Sequence, residues 1–376
     1  MFKREIAGII DKQLYQGKII LIFGARRVGK TTLSKQLLDQ SSHGRYINCE
    51  LLENITALRT PNSIDLRNYL GNYELIVLDE AQNIPDIGRI LKIIVDTSPE
   101  LQIIATGSSS FDLGQRLAEP LTGRAREYLL FPLSISELQQ TLDWIDIDAS
   151  LERILRFGLY PEVFGRSDED SMEELTQIAS NYLYRDILQF EQVKRPALLG
   201  NLLTALALQI GQEISLNELS RLLGETIPTI QRYIELLEKA YVIFRLRSFS
   251  RNLRKEIAKG QKVYFYDLGI RNALIRNFNP LPMRNDTGGL WENFCICERM
   301  KFHQNKRHFV NSYFWRTYDQ KEIDLIEEYG GQLKAFEFKY RSAKRILPPK
   351  DFIQAYPEGQ FFFVNRENYS MLSVVE

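Results

Sequence analysis

Cysteine is scarce in this chain, with 3 in 376 residues, which excludes a small fold stapled by disulfides and suits a reducing compartment. No stretch approaches the ~18 consecutive apolar residues of a transmembrane helix, and FFFV at 361–364 is only strand-sized. The opening MFKREIAGIIDKQL is charged and amphipathic, unlike the apolar run of a secretory leader, so a cytoplasmic protein without membrane contact is expected. Internal repeats and low-complexity linkers are missing too. Disorder is excluded by 44% hydrophobic and 11% aromatic residues. At ~100–200 residues per domain, the length accommodates two or three domains. Net charge is zero, 48 Lys+Arg against 48 Asp+Glu, yet its distribution is uneven. Between 240 and 310 there are 14 Lys/Arg and 5 Asp/Glu, a local +9 that leaves −9 elsewhere. Such segregation fits either a polyanion-facing surface or a solvated basic face.

From 18 to 110, short β-branched runs (KIILIFG, RYINCE, ELIVLDE, LQIIATGSSS) alternate with helical patterns (TTLSKQLLDQ, IGRILKIIVDT), the rhythm of a parallel α/β sheet. The pattern then turns helical, with SMEELTQIASNYLYRDILQFEQV its longest periodic segment. A helix, a tight helix-turn-helix and a strand hairpin follow, and the last hundred residues return to α/β. These shifts divide the chain into an α/β core (1–128), a helical lid (129–197), a winged helix-turn-helix (198–282) and a second α/β domain (283–376).

Strand KIILIF runs into Gly24-Ala25-Arg26-Arg27-Val28-Gly29-Lys30-Thr31-Thr32, which fits GxxxxGK[ST] and leads into an amphipathic helix. Such a loop wraps phosphates with backbone N–H groups at a helix N-terminus, where the dipole favours negative charge. Gly24, Arg27, Gly29, Lys30, Thr31 and Thr32 are therefore nucleotide-binding candidates. Lys30 is expected on the β- and γ-phosphates and Thr31 on Mg2+. Further on, the apolar run Leu75–Leu78 delivers Asp79 and Glu80 to the carboxyl end of a buried strand. Asp79 suits Mg2+ and Glu80 suits the general base that polarises the attacking water. LQIIATGSSS offers Thr106 and Ser108 as γ-phosphate sensors. Arg124 and Arg126 are candidates for the arginine that stabilises transferred charge, within the chain or toward a neighbouring copy in a homo-oligomer; surface roles suit them equally. No NKxD follows the sheet, so ATP is expected rather than GTP.

GARRVGKTTL, LDEAQNIPD, ATGSSS, LTGRAREYLLFPLSISEL, GLYPEV, WENF, FWRTYDQKEIDLI and FEFKY together resemble a prokaryotic family of AAA+ superfamily ATPases with a C-terminal domain of unknown function. The resemblance spans nearly the whole chain. It implies an AAA+ P-loop fold and ATPase chemistry more than any particular biological role.

ISLNELSRLLGETIPTIQRYIELLEKAYVIFRLRSF reads as a winged helix. Ser215 caps a helix over Leu216–Leu223, Gly224 turns the chain, and Thr226 caps a second helix with Ile230, Ile234 and Leu237 inward. Thr229, Gln231 and Arg232 are left facing out, as major-groove readers do. Arg245, Arg247, Arg251, Arg254 and Lys255 suit DNA phosphates; interdomain packing is the competing use of such a module.

After 285 the order helix, three strands, helix, strand resembles the restriction-endonuclease-like core. Asp324 sits in one strand and Glu337-Phe338-Lys339 in the next, across a turn at Gly330-Gly331. Side chains two apart on a strand share a face, so Glu337, Lys339 and Asp324 are expected to converge. With Glu292 on the preceding helix, or Glu298 as substitute, they suit a metal-dependent nuclease centre. A fold that has outlived its chemistry is the alternative: a nucleotide-dependent switch or scaffold for protein partners. Cys295, Cys297, His303 and His308 do not form a zinc site on this reading, because helical residues two apart face different ways.

Overall fold

The structure, a computed structural model, describes residues 2–108, 121–182, 195–250, 260–317, 319–341 and 346–375. The described residues gather into two units. Unit 1 contains those up to 133 together with 239–241, and unit 2 those from 134 to 238 and from 242 onward.

Unit 1 is built on a five-stranded sheet in the order β2-β3-β4-β1-β5, every neighbouring pair parallel. The strands are β1 (Ile19–Phe23), β2 (Gly44–Asn48), β3 (Leu75–Asp79), β4 (Gln102–Gly107) and β5 (Ala125–Leu129). IILIF, LIVLD and QIIATG are buried along their whole length, as strands covered on both faces require. The covering helices are α1 (Glu5–Asp11), α2 (Lys30–Leu38), α3 (Leu52–Leu58), α4 (Ser63–Leu70) and α5 (Ile87–Thr97). Ile87, Ile90, Leu91 and Ile94 of α5 supply one apolar stripe to a core that also takes Leu21, Ile76, Leu78 and Ile103. Because all the strands run one way, Phe23, Asp79 and Gly107 end at the same edge, and the loops that follow them assemble there.

Unit 2 carries a seven-stranded sheet, β12-β11-β10-β9-β7-β8-β6. Its strands are β6 (Glu213–Ile214), β7 (Ile243–Ser248), β8 (Gln261–Phe265), β9 (Asn311–Arg316), β10 (Glu322–Tyr329), β11 (Gln332–Phe338) and β12 (Gln360–Val364). The β10–β11 hairpin closes on Gly330 and Gly331, both left-handed (φ 57° and 81°), the pair of positive φ values that a two-residue type I′ turn demands. The helices used below are α6 (Leu151–Phe157), α7 (Pro196–Leu208), α8 (Leu216–Leu223), α9 (Ile227–Lys239), α10 (Leu268–Leu274), α11 (Thr287–Lys306) and α12 (Lys350–Ala355). Phe352 of α12 packs with Trp315, Ile323, Ile326, Leu333 and Phe249 in one core.

The sheet does not break near 283: β7 pairs parallel with β9 (Arg247↔Tyr313, Ser248↔Phe314), so the strand hairpin and the C-terminal strands share one sheet. The described residues from 134 to 182 group with unit 2. The cause is polar and buried. Asn272 Nδ2 donates to Leu155 O and Arg156 O at 3.0 and 2.8 Å, and Asp267 accepts from Leu159 N at 2.7 Å, so α6 is tied to α10. The second half of the long periodic segment, 183–194, lies outside the described residues. Among the described residues no helix is long and apolar enough to cross a membrane.

Candidate active sites

In unit 1, the loop after β1 passes so close to the chain leaving β5 that a Cβ on Gly24 would stand 2.3 Å from Leu130 O; only glycine fits there. Lys30 opens α2 almost fully buried, its Nζ on Gly24 O and Ala25 O at 3.0 and 2.9 Å. Arg27 lies in the loop with φ 62°, and Thr32 is exposed in the first turn of α2. Thr31 Oγ1 donates to Asp79 Oδ2 at 2.8 Å, joining the loop to the end of β3. Asp79 also accepts from Thr106 Oγ1 of β4 and from Tyr46 Oη of β2, both at 2.6 Å. The next residue, Glu80, is left-handed (φ 54°), and its N–H donates to Thr106 Oγ1 at 3.0 Å. Its carboxylate takes a hydrogen bond from Gln82 Nε2, which also reaches Ser108 Oγ at 3.3 Å.

Four side chains at this site were not singled out from the sequence. Gln82 lies within LDEAQ, two residues beyond Glu80. Tyr46 touches Asp79 only because β2 is the neighbour of β3; burial, and then Asp79, push its phenol well above the ordinary range, so it stays a donor. The same surroundings push the Cys49 thiol up to about 12, burial first and then Asp79 and Glu80. Arg4, buried just before α1, donates to Val28 O inside the loop at 2.7 Å and to Phe131 O at 2.5 Å.

Arg124 does not enter the phosphate site of its own chain. The register Ile19↔Ala125 sets it at the start of β5, at the opposite end of the sheet from the loop and about 13 Å away at ~3.3 Å per residue. There Nε bonds Asp96 Oδ1 at 2.7 Å, a contact that lowers the Asp96 pKa. Arg126, at the same end, donates to Gln16 Oε1 at 2.9 Å.

In unit 2, Glu292 of α11, Asp324 of β10, and Glu337 of β11 with the following Lys339 come together. Asp324 is buried, and its Oδ2 accepts from Phe338 N at 2.8 Å and lies 3.4 Å from Lys339 Nζ. Lys339 Nζ is 2.7 Å from Glu337 Oε1. Three further residues complete the cluster: Glu322, Lys262 and Tyr264. Glu322 shares the face of Asp324 by the period of two, and one oxygen each of Glu292, Glu322 and Asp324 lie within 4.8 Å of one another. Lys262 Nζ is 2.9 Å from Glu292 Oε1 and also pairs with Glu322. Tyr264 Oη donates to the same Glu292 oxygen at 2.5 Å. Burial, then repulsion from Asp324, raises both Glu292 and Glu337 to about 7. A cleft of about 410 Å³ borders the cluster, lined among others by Arg284, Thr287, Gly288, Glu292, Lys339 and Arg341.

Glu298 is not part of this group. Its carboxylate accepts from Ile135 N at 2.7 Å and pairs with Lys301 at 2.8 Å, a structural role. Cys297 Sγ instead donates to Phe265 O at 3.1 Å, and His303 faces Glu327 at 2.9 Å.

In the helix-turn-helix, Ser215 Oγ accepts from Glu218 N at 3.3 Å, Gly224 is left-handed at the end of α8, and Thr226 Oγ1 accepts from Thr229 N at 3.4 Å. Ile230, Ile234 and Leu237 are buried. Gln231, Arg232 and Arg247 are exposed. Arg245 is committed to Glu238 at 2.8 Å through Nε and to Gln261 at 3.2 Å, so it is not a spare phosphate ligand. Arg251, Arg254 and Lys255 lie outside the described residues.

Three families match successive stretches: an AAA domain over residues 16–139, a domain of unknown function (DUF8612) over 148–281, and another (DUF4143) over 287–371. An uncharacterized protein of Mycobacterium tuberculosis is 30% identical over 348 residues, spanning 92% of this chain and 75% of the relative. One of Methanocaldococcus jannaschii is 27% identical over 326 residues, spanning 80% and 71%. Among solved structures, the Walker-type ATPase of Pyrococcus abyssi superposes with a TM-score of 0.53 at 19% identity, over 73% of this chain and 96% of that one, a likeness of fold. The chain therefore belongs to the P-loop AAA+ ATPase family that carries a C-terminal domain of unknown function.

Proposed function

We propose that the chain hydrolyses ATP with Mg2+ and couples hydrolysis to the engagement and cutting of DNA. The observation that carries the ATPase reading is the meeting of Lys30, Thr31, Asp79 and Glu80 at one end of a parallel sheet, joined by the Thr31–Asp79 hydrogen bond. Lys30, resting on loop carbonyls, exchanges them for phosphate oxygens. The Thr31 hydroxyl and the Asp79 carboxylate offer the hard oxygen donors that Mg2+ requires, and the bound ion supplies charge neutralisation at the β- and γ-phosphates. Glu80, steadied by Gln82, orients the attacking water and takes its proton, while Thr106 and Ser108 report the γ-phosphate. Arg124 can serve only another copy's phosphates. Purified chain should turn over ATP and stop when EDTA removes the metal; no Mg2+-dependent turnover, with or without DNA, rejects the reading.

The DNA reading draws on the exposed Gln231, Arg232 and Arg247. Cutting is supported by the convergence of Glu292, Asp324, Glu337 and Lys339 beside the cleft. The carboxylates would hold Mg2+, and Lys339 would steady charge developing on a phosphodiester. Wild type and Asp324→Asn, incubated in parallel with plasmid, branched and single-stranded DNA, separate intrinsic cutting from contaminating nuclease. Binding that weakens steeply with salt supports DNA as the partner. Salt-insensitive behaviour without cutting would leave a nucleotide-dependent switch for protein partners.

A further inference from the structure

The cluster in unit 2 already contains a cation. Lys262, on β8, is 2% exposed, and its ammonium bonds two of the three carboxylates whose oxygens approach one another, Glu292 and Glu322. Its Nζ lies over the Phe314 ring, 5.5 Å from the centroid, and Tyr264 fills a second donor position on the Glu292 oxygen that Lys262 uses. Magnesium binds carboxylate oxygen at ~2.1 Å. An ion on Glu292 Oε1 would therefore stand no more than about 5 Å from an ammonium that is 2.9 Å from the same atom, in a region where little water screens the repulsion.

We infer that Lys262 is a tethered counter-ion that competes with a divalent metal for Glu292, Glu322 and Asp324. In the resting cluster this side chain offsets part of the carboxylate charge, and a metal enters only as the ammonium leaves. The inference rests on the reading of the cluster as a metal site, and it accounts for a lysine buried among carboxylates in a chain whose Lys339 already meets Asp324 and Glu337.

Mn2+ is the probe, with free ion followed by electron paramagnetic resonance, on nucleotide-free full-length chain carrying Asp79→Asn to silence the phosphate-loop site. Against that parent, Lys262→Met should bind Mn2+ at least roughly tenfold more tightly, because one opposing charge is gone. Lys262→Arg should stay as weak as the parent, and adding Asp324→Asn to Lys262→Met should abolish the gain. Lys262→Gln gives the same test should Lys262→Met fold poorly by circular dichroism. If the parent binds Mn2+ in an Asp324-dependent way and neutral substitutions do not tighten it, the metal site stands and the competition is wrong. If neither parent nor variants bind, the inference and the metal reading fall together.

Discussion

Tyr46 Oη stands 2.6 Å from Asp79 Oδ2, so a tyrosine from the edge strand holds the carboxylate that Thr31 and Thr106 also address. Partners that orient a metal-binding carboxylate typically shift metal affinity by ~10–100-fold. Tyr46→Phe should therefore raise the Mg2+ concentration for half-maximal ATP turnover about tenfold, with ATP binding in the absence of metal unchanged. An unaltered Mg2+ titration would reduce Tyr46 to packing.

Lys30 and Glu80 have different duties, and their variants should differ. Lys30→Ala should lose both ATP affinity and turnover, whereas Glu80→Gln should retain ATP and lose hydrolysis. Gln82→Ala frees the Glu80 carboxylate from its partner and should lower kcat by about tenfold or more, leaving KM near wild type. Normal turnover by Glu80→Gln would overturn the general-base assignment.

Arg4 joins a carbonyl inside the phosphate loop, Val28 O, to one beyond β5, Phe131 O. Arg4→Met leaves both without that donor, at a cost of about 1–3 kcal/mol, and lets the loop drift from its phosphate-binding shape. KM for ATP should rise about tenfold with kcat within about threefold, and Arg4→Lys should recover part of the loss. Urea unfolding that weakens while KM stays fixed would mark Arg4 as structural only.

Glu292 and Glu337 are raised to about 7 from an ordinary 4.5, by burial first and then by Asp324. A carboxyl raised in the fold contributes its full stability below its unfolded pKa and loses it as pH climbs through the folded value. In EDTA, unit 2 should thus melt higher at about pH 5 than at about pH 8, each pKa unit being worth ~1.4 kcal/mol. All three tryptophans, Trp144, Trp291 and Trp315, lie in unit 2, so their fluorescence reports this transition. Asp324→Asn should flatten the pH dependence; a melting temperature that instead rises toward pH 8 contradicts the assignment.

The parts of the fold and site that were legible in the sequence are those where neighbours in space are neighbours in the chain. The apolar runs before Gly24 and Asp79 mark strands buried on both faces, and the loop and acidic pair follow directly from them. The turn glycines and the alternation around Asp324 and Glu337 bring those residues to one face. Adjacency between distant strands was not legible. Tyr46 reaches Asp79 through the order β2-β3, and Lys262 reaches Glu292 across 30 residues. Arg124 looks suited to its own chain's phosphates until the parallel register shows which end of the sheet it occupies. Glu322 is different: its spacing of two from Asp324 is a signal the sequence carries.

The parallel pairing of β7 with β9 bears on how such a chain can be inherited. A genetic cut at Pro282 would separate two strands of one sheet, leaving β9 as a raw edge on the C-terminal fragment and β7 as another on the remainder. Unprotected edges invite pairing with foreign strands. The last hundred residues are therefore no free-standing cassette to be grafted onto another ATPase; recombination that preserves folding has to carry β7, β8 and Lys262 along with them.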